Sequence, residues 1–73
     1  MADLEVKSEV TGTIWKILVS PGSEVEEDDS IAILESMKME IPVSAPEGGT
    51  VKEIVLAEGD QVAEGQVILV MTV

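Results

Sequence analysis

Apolar residues in this chain come in short runs cut off by glycine, proline and acidic residues, and the runs recur. Gly12-Thr13 opens one, Ile14 to Val19, and Gly49-Thr50 opens another, Val51 to Leu56. Their β-branched content belongs to strands rather than helices. Pro21-Gly22 ends the first run: proline presets φ for a type II turn, and glycine accepts the positive φ that follows. Glu58-Gly59 stands in the matching place. A second apolar run follows each turn, Ile31-Ala32-Ile33-Leu34 in one case and Val67-Ile68-Leu69-Val70 in the other. Short strands with this punctuation predict an all-β sandwich or flattened barrel.

The recurrence is a duplication. A shift of 37 places lays residues 6–36 on 43–73 without a gap, and eight of the 31 pairs are identical. Val6, Gly12, Thr13, Ile17, Gly22, Val25, Glu27 and Ile31 repeat as Val43, Gly49, Thr50, Ile54, Gly59, Val62, Glu64 and Ile68. Glycines and strand residues are the ones retained, so the two copies are expected to share one backbone path. The whole of 1–73 reads as one domain.

Composition narrows what such a domain does. With 73 residues there is little room for a substrate cavity beside a core. A core of this size supplies only about 3–5 kcal/mol, so nearly every apolar residue is needed for burial. The absence of cysteine and histidine removes disulfides, thiol nucleophiles, imidazole bases and the usual zinc ligands. No acid–base constellation is apparent, and an independent enzyme is the least supported reading. Four lysines and no arginine against fifteen acidic residues give a formal net charge of −11. Such a surface repels nucleic acid and anionic membranes, and favours a soluble monomer steered towards basic partners. The acidic stretch Glu24 to Asp29 lacks the central glycine of an EF-hand loop and is expected to be a solvated loop. Met1 to Glu5 lacks the basic and apolar regions of a signal peptide, and no apolar run approaches transmembrane length. The expected location is cytoplasmic, and the opening Met1 favours a free protein.

What the duplication leaves over is Met37-Lys38-Met39-Glu40-Ile41-Pro42, between the two copies. Ala32 and Leu34 before it and Ile41 and Val43 after it fit two antiparallel strands joined at Met37-Lys38. That pairing opposes Ser36 to Met39, Glu35 to Glu40 and Leu34 to Ile41, and puts Lys38 at a hairpin tip. Turn chemistry alone does not find this tip, because two-residue hairpins prefer Asn-Gly or Gly-X. Two readings of the methionines stay open on these grounds. Met37 and Met39 pack inward as core fillers around an ordinary solvated lysine, or a partner enzyme grips their thioethers to reach a lysine that it modifies. Trp15, between Ile14 and Lys16 in a strand, is expected to serve packing, Met71 to be core, and Lys7, Lys16 and Lys52 to be surface residues.

Glu35-Ser36-Met37-Lys38-Met39-Glu40 resembles the biotin attachment motif, in which a lysine between two methionines receives biotin. Gly12-Thr13, Pro21-Gly22, Gly49-Thr50-Val51 and Glu58-Gly59-Asp60 lie at the distances from the lysine that the biotinyl/lipoyl attachment family shows. The likeness covers essentially the whole chain and is nearest to short, free-standing biotin carboxyl carrier proteins. It implies a flattened barrel-sandwich of two four-stranded antiparallel sheets related by a pseudo-twofold axis. It further implies covalent biotin on Lys38, with Met37, Met39, Glu35 and Ser36 recognised by a biotin protein ligase or by the carboxylase. Biotin carboxylase and carboxyltransferase are the implied partners, with an acceptor that the partner enzymes choose. Two positions depart from the family pattern: Ser36 replaces the commoner alanine, and Asp28 stands where Gly65 stands in the second copy, which puts the local turn in question. Lipoate on the same lysine is the alternative cofactor, although lipoyl domains typically present Asp-Lys-Ala. An unmodified interaction module is the alternative from another class.

Overall fold

The computed structural model describes residues 2–73. Eight strands follow one another: β1 (Asp3–Lys7), β2 (Gly12–Ile17), β3 (Glu24–Val25), β4 (Ser30–Ser36), β5 (Met39–Ser44), β6 (Gly49–Ile54), β7 (Gln61–Val62) and β8 (Val67–Thr72). They form two antiparallel four-stranded sheets, ordered β1-β8-β6-β3 and β5-β4-β2-β7. The sheets face each other as a flattened sandwich and do not close into a barrel. No helix in the described residues is long and apolar enough to cross a membrane.

The offset of 37 runs through the hydrogen bonds as well. Gly22 N donates to the Val51 carbonyl and Gly59 N to that of Ile14, both at 2.7 Å. Asp28 N reaches the Ala45 carbonyl and Gly65 N that of Ser8, both at 2.8 Å. Each sheet takes its short strand from the other copy, since β3 pairs with β6 and β7 with β2. Neither copy therefore has a complete sheet alone.

Inward side chains form two matched clusters. Ile14, Leu34, Val62 and Ile68 make one, and their equivalents Val51, Met71, Val25 and Ile31 lie in the other together with Val6, Ala45 and Leu69. Val43 packs against both. Met71 is fully buried, as expected of a core residue.

Trp15 departs from its expected place. The register between β2 and β4 slips between Ile14 and Lys16, so Trp15 occupies a bulge and stays 44% exposed instead of packing in the core. A bulge places an extra residue on one strand and turns the following side chains. The ring meets the Lys16 amine instead, 5.6 Å from its centroid.

The doubtful turn is settled by backbone geometry. Asp28 has φ of +72° and Gly65 of +84°, so aspartate holds the left-handed conformation that glycine holds in the second copy. Asp and Asn are the residues that tolerate this region best after glycine. Glu24 to Asp29 is largely exposed, apart from buried Val25, and begins with β3.

Candidate functional site

The β4–β5 hairpin pairs Leu34 with Ile41, Glu35 with Glu40 and Ser36 with Met39, the register expected from the sequence. Leu34 is buried and Ile41 packs on the same core cluster, so the hairpin is anchored from below. Two residues remain for the turn. Met37 and Lys38 both adopt left-handed backbone, with φ of +52° and +63°. Positive φ at both central positions is the two-residue turn whose twist suits an antiparallel hairpin. Residues with a Cβ pay about 1–2 kcal/mol each for that conformation, so the tip is strained where Asn-Gly would relax it.

Met37 is 91% and Met39 63% exposed, which removes the reading in which both pack inward. Lys38 is also exposed. Ion pairs within 4.0 Å among the described residues join Lys52 to Asp3 at 2.7 Å and Lys7 to Glu5 at 4.0 Å, and none involves Lys38. Its amine thus stands clear of carboxylates, between two thioethers facing solvent. Lys52 differs: the hydrogen bond from its amine to Asp3, and the charge of Asp3, hold its pKa above the ordinary 10.5, with a smaller opposing effect of burial.

Ser36 holds the tip rather than presenting its hydroxyl outward. Its Oγ donates to the Thr11 carbonyl at 2.9 Å, and the Thr11 hydroxyl accepts from the Glu64 backbone N–H at 3.2 Å. The hairpin base is thereby tied to the β1–β2 loop and to the turn before β8. Thr11 and Glu64 carry no sequence signal for this role, because each bond spans loops distant in the chain. Gly12 lets β2 run close beneath: a Cβ there would collide with the Glu35 carbonyl oxygen and crowd the Ser36 Cβ. Glu35 and Glu40 face outward, directly opposite each other across the hairpin.

An exposed primary amine on a stiff turn suits covalent loading of a carboxylic acid such as biotin. The nitrogen is unobstructed, and the side chain supplies an extended stem. A noncovalent cofactor would instead need an enclosing cavity, and the tip offers none.

Comparison with known proteins agrees with this geometry. Residues 2–71 match the family model described as Biotin-requiring enzyme, the biotin/lipoyl family. The chain is 47% identical over 66 residues to the biotin/lipoyl attachment protein of Bacillus subtilis, covering 90% of each. It is 35% identical over 68 residues to a homologue of a biotinylated protein in Mycobacterium leprae, covering 93% of this chain and 96% of the relative. Among solved structures, the urea carboxylase of Kluyveromyces lactis superposes with a TM-score of 0.92 at 35% identity, over 99% of this chain but only 6% of that one. The chain belongs to the biotin/lipoyl attachment family.

Proposed function

We propose that Lys38 is the biotin acceptor and that the domain carries carboxylate between a biotin carboxylase and a carboxyltransferase. The observation that bears this reading is the left-handed tip itself: an unpaired, exposed lysine between two exposed methionines, with φ of +52° and +63° at Met37 and Lys38. Strain of this kind, kept where glycine would relieve it, points to a side chain retained for use.

Near pH 7 a lysine side chain is mostly ammonium, so a biotin protein ligase must first take up a proton. The neutral Nζ of Lys38 then attacks the acyl carbon of biotinyl-adenylate. The amide bond forms, the bond to phosphate oxygen breaks, and AMP leaves. One positive charge is lost, moving the formal net charge from −11 to −12. Met37 and Met39 offer soft apolar contacts to the ligase beside the nucleophile. Ser36 acts from below, through Thr11.

Bound biotin supplies a ureido ring able to take up carboxylate where ATP and bicarbonate are used and to release it to an acceptor. The chain contributes the tether, which makes the second encounter effectively intramolecular and raises the local concentration. The domain performs no catalysis itself. Cytoplasm is the proposed compartment, since loading and carboxylation both consume ATP, and the proposed carrier is a monomer.

The test is incubation of the purified chain with biotin, ATP and a biotin ligase, beside a second arm with lipoate and a lipoate ligase. Peptide mapping of the products is expected to place biotin on Lys38 alone, with none on Lys38→Ala of unchanged thermal midpoint. Lipoate alone would transfer the chain to the lipoyl carriers, and no modification by either would return it to the interaction modules.

A further inference from the structure

The chain has no cysteine, so its sulfur is carried by methionine alone. Among the described residues that sulfur is divided sharply by place. Met71 is fully buried in the core cluster with Val6, Val51 and Leu69, whereas Met37 is 91% and Met39 63% exposed.

The duplication separates the methionine that packs from the two that do not. The offset of 37 lays Met71 on Leu34, another buried side chain, so Met71 fills a place that leucine fills in the first copy. Met37 and Met39 belong to the stretch left over between the copies and have no counterpart. Along the hairpin, the pair Ser36–Met39 continues the row that holds Leu34 and Ile41, because side chains two residues apart share a face of a strand. That row has run past the core by this point, and Met39 is left in solvent. Met37 occupies the turn itself, with φ of +52°. The exposed sulfurs therefore stand on either side of Lys38, while the buried one is shielded by the sandwich.

We propose that Met37 and Met39 form a reversible oxidation site that governs the loading of Lys38, with hydrogen peroxide as the oxidant. In each step the O–O bond of the peroxide breaks. One oxygen bonds to the methionine sulfur, which gives up two electrons, and the other leaves as water. Methionine sulfoxide reductases reverse the step with two thiols, which end as a disulfide while the oxygen leaves as water. The chain offers no thiol to intercept the peroxide first. Each oxidation turns a soft apolar side chain into a polar one. A ligase that grips two thioethers beside the amine would have to bury the new oxygens unpaired, although the amine itself is unchanged. The inference rests on Lys38 being the acceptor, and adds a state in which the acceptor is present but closed.

The test treats the purified chain with dilute hydrogen peroxide under folding conditions, maps the peptides over time, and then supplies biotin, ATP and a biotin ligase. One oxygen is expected on Met37 first and on Met39 next, with Met71 unmodified until urea unfolds the chain. The kcat/KM for loading the doubly oxidised protein is expected to fall about fivefold or more, the scale of one polar group buried without a partner. Reductases for both sulfoxide epimers, with a dithiol, should restore it. Met37→Leu/Met39→Leu keeps Met71 and Trp15, and peroxide should leave its own loading constants where they stood. Oxidation of Met71 as fast as Met37 in the folded chain overturns the switch and leaves the acceptor standing, as does loading of the doubly oxidised protein at the untreated rate. If the untreated chain is not loaded at all, the acceptor reading fails and the switch with it.

Discussion

The two ends of the sandwich are built from matched residues and closed in different ways. At one end β4 turns into β5 through Met37 and Lys38; at the other β8 and β1 finish side by side, with Ala2 and Val73 exchanging backbone hydrogen bonds of 2.9 and 2.8 Å. Ser36 ties the tip to Thr11, and Thr11 to Glu64. The equivalents of Ser36 and Thr11 at the open end are Val73 and Gly48, whose side chains neither donate nor accept hydrogen bonds. Both ends share the scaffold of ladders and turn glycines. Among the described residues, the end with the Met37-Lys38 turn carries the strained backbone and the bonds of Ser36 and Thr11 to backbone groups, while the other end carries the Lys52–Asp3 pair, so the scaffold and the tip are separable in the sequence.

The sharpest way to separate them is through the two glycines beneath the ends. A Cβ on Gly12 would run into the Glu35 carbonyl oxygen, and one on Gly49 into that of Thr72. Gly12→Ala and Gly49→Ala are each expected to cost about 1–3 kcal/mol in denaturant unfolding, as overpacked sites do. Only Gly12→Ala should also slow biotin loading, because Glu35 and Ser36 lie at the base of the tip. Equal loading by the two variants, measured where both are folded, would join what the comparison separates.

Most of this site was legible because the chain contains its own alignment. The duplication left 37–42 over and so located the hairpin, and the alternation of Leu34 and Ile41 with Glu35 and Glu40 fixed its register. Turn propensity argued against Met37-Lys38, yet both residues hold positive φ there, at +52° and +63°. The exchange of β3 and β7 between the sheets was hidden, since strands of two residues carry no periodicity and their partners are set by long-range hydrogen bonds. The outward turn of Trp15 does carry a signal, because a position holding tryptophan in one copy and lysine in the other belongs to the surface. The bonds among Ser36, Thr11 and Glu64 had none.

Strain sharpens the comparison at smaller cost. Lys38→Gly removes a left-handed residue's Cβ, and the relief is offset in part by the greater freedom of glycine in the unfolded chain. A gain of up to about 1 kcal/mol is expected in urea unfolding, together with complete loss of loading. Asp28→Gly, at φ of +72° away from the tip, should gain less, since aspartate already tolerates that region, and should leave loading intact. A Lys38→Gly protein less stable than wild type would mean that the tip is held by contacts of the lysine rather than strained by it.

The smallest effect concerns the Lys52–Asp3 pair on the other sheet. Lys52 has its pKa raised above 10.5 by Asp3, so the ammonium form is favoured in the folded state. The sign follows from linkage: the stabilisation is fully present below the ordinary lysine value and is lost as pH rises through the higher folded value. Stability near pH 7 is therefore insensitive to small changes in pH through this pair, and its loss is confined to alkaline solution. Asp3→Asn should bring the Lys52 titration, followed by NMR of its ε-methylene protons, back towards the ordinary midpoint, without altering loading of Lys38. A Lys52 midpoint unmoved by Asp3→Asn would show the ion pair to be absent in solution.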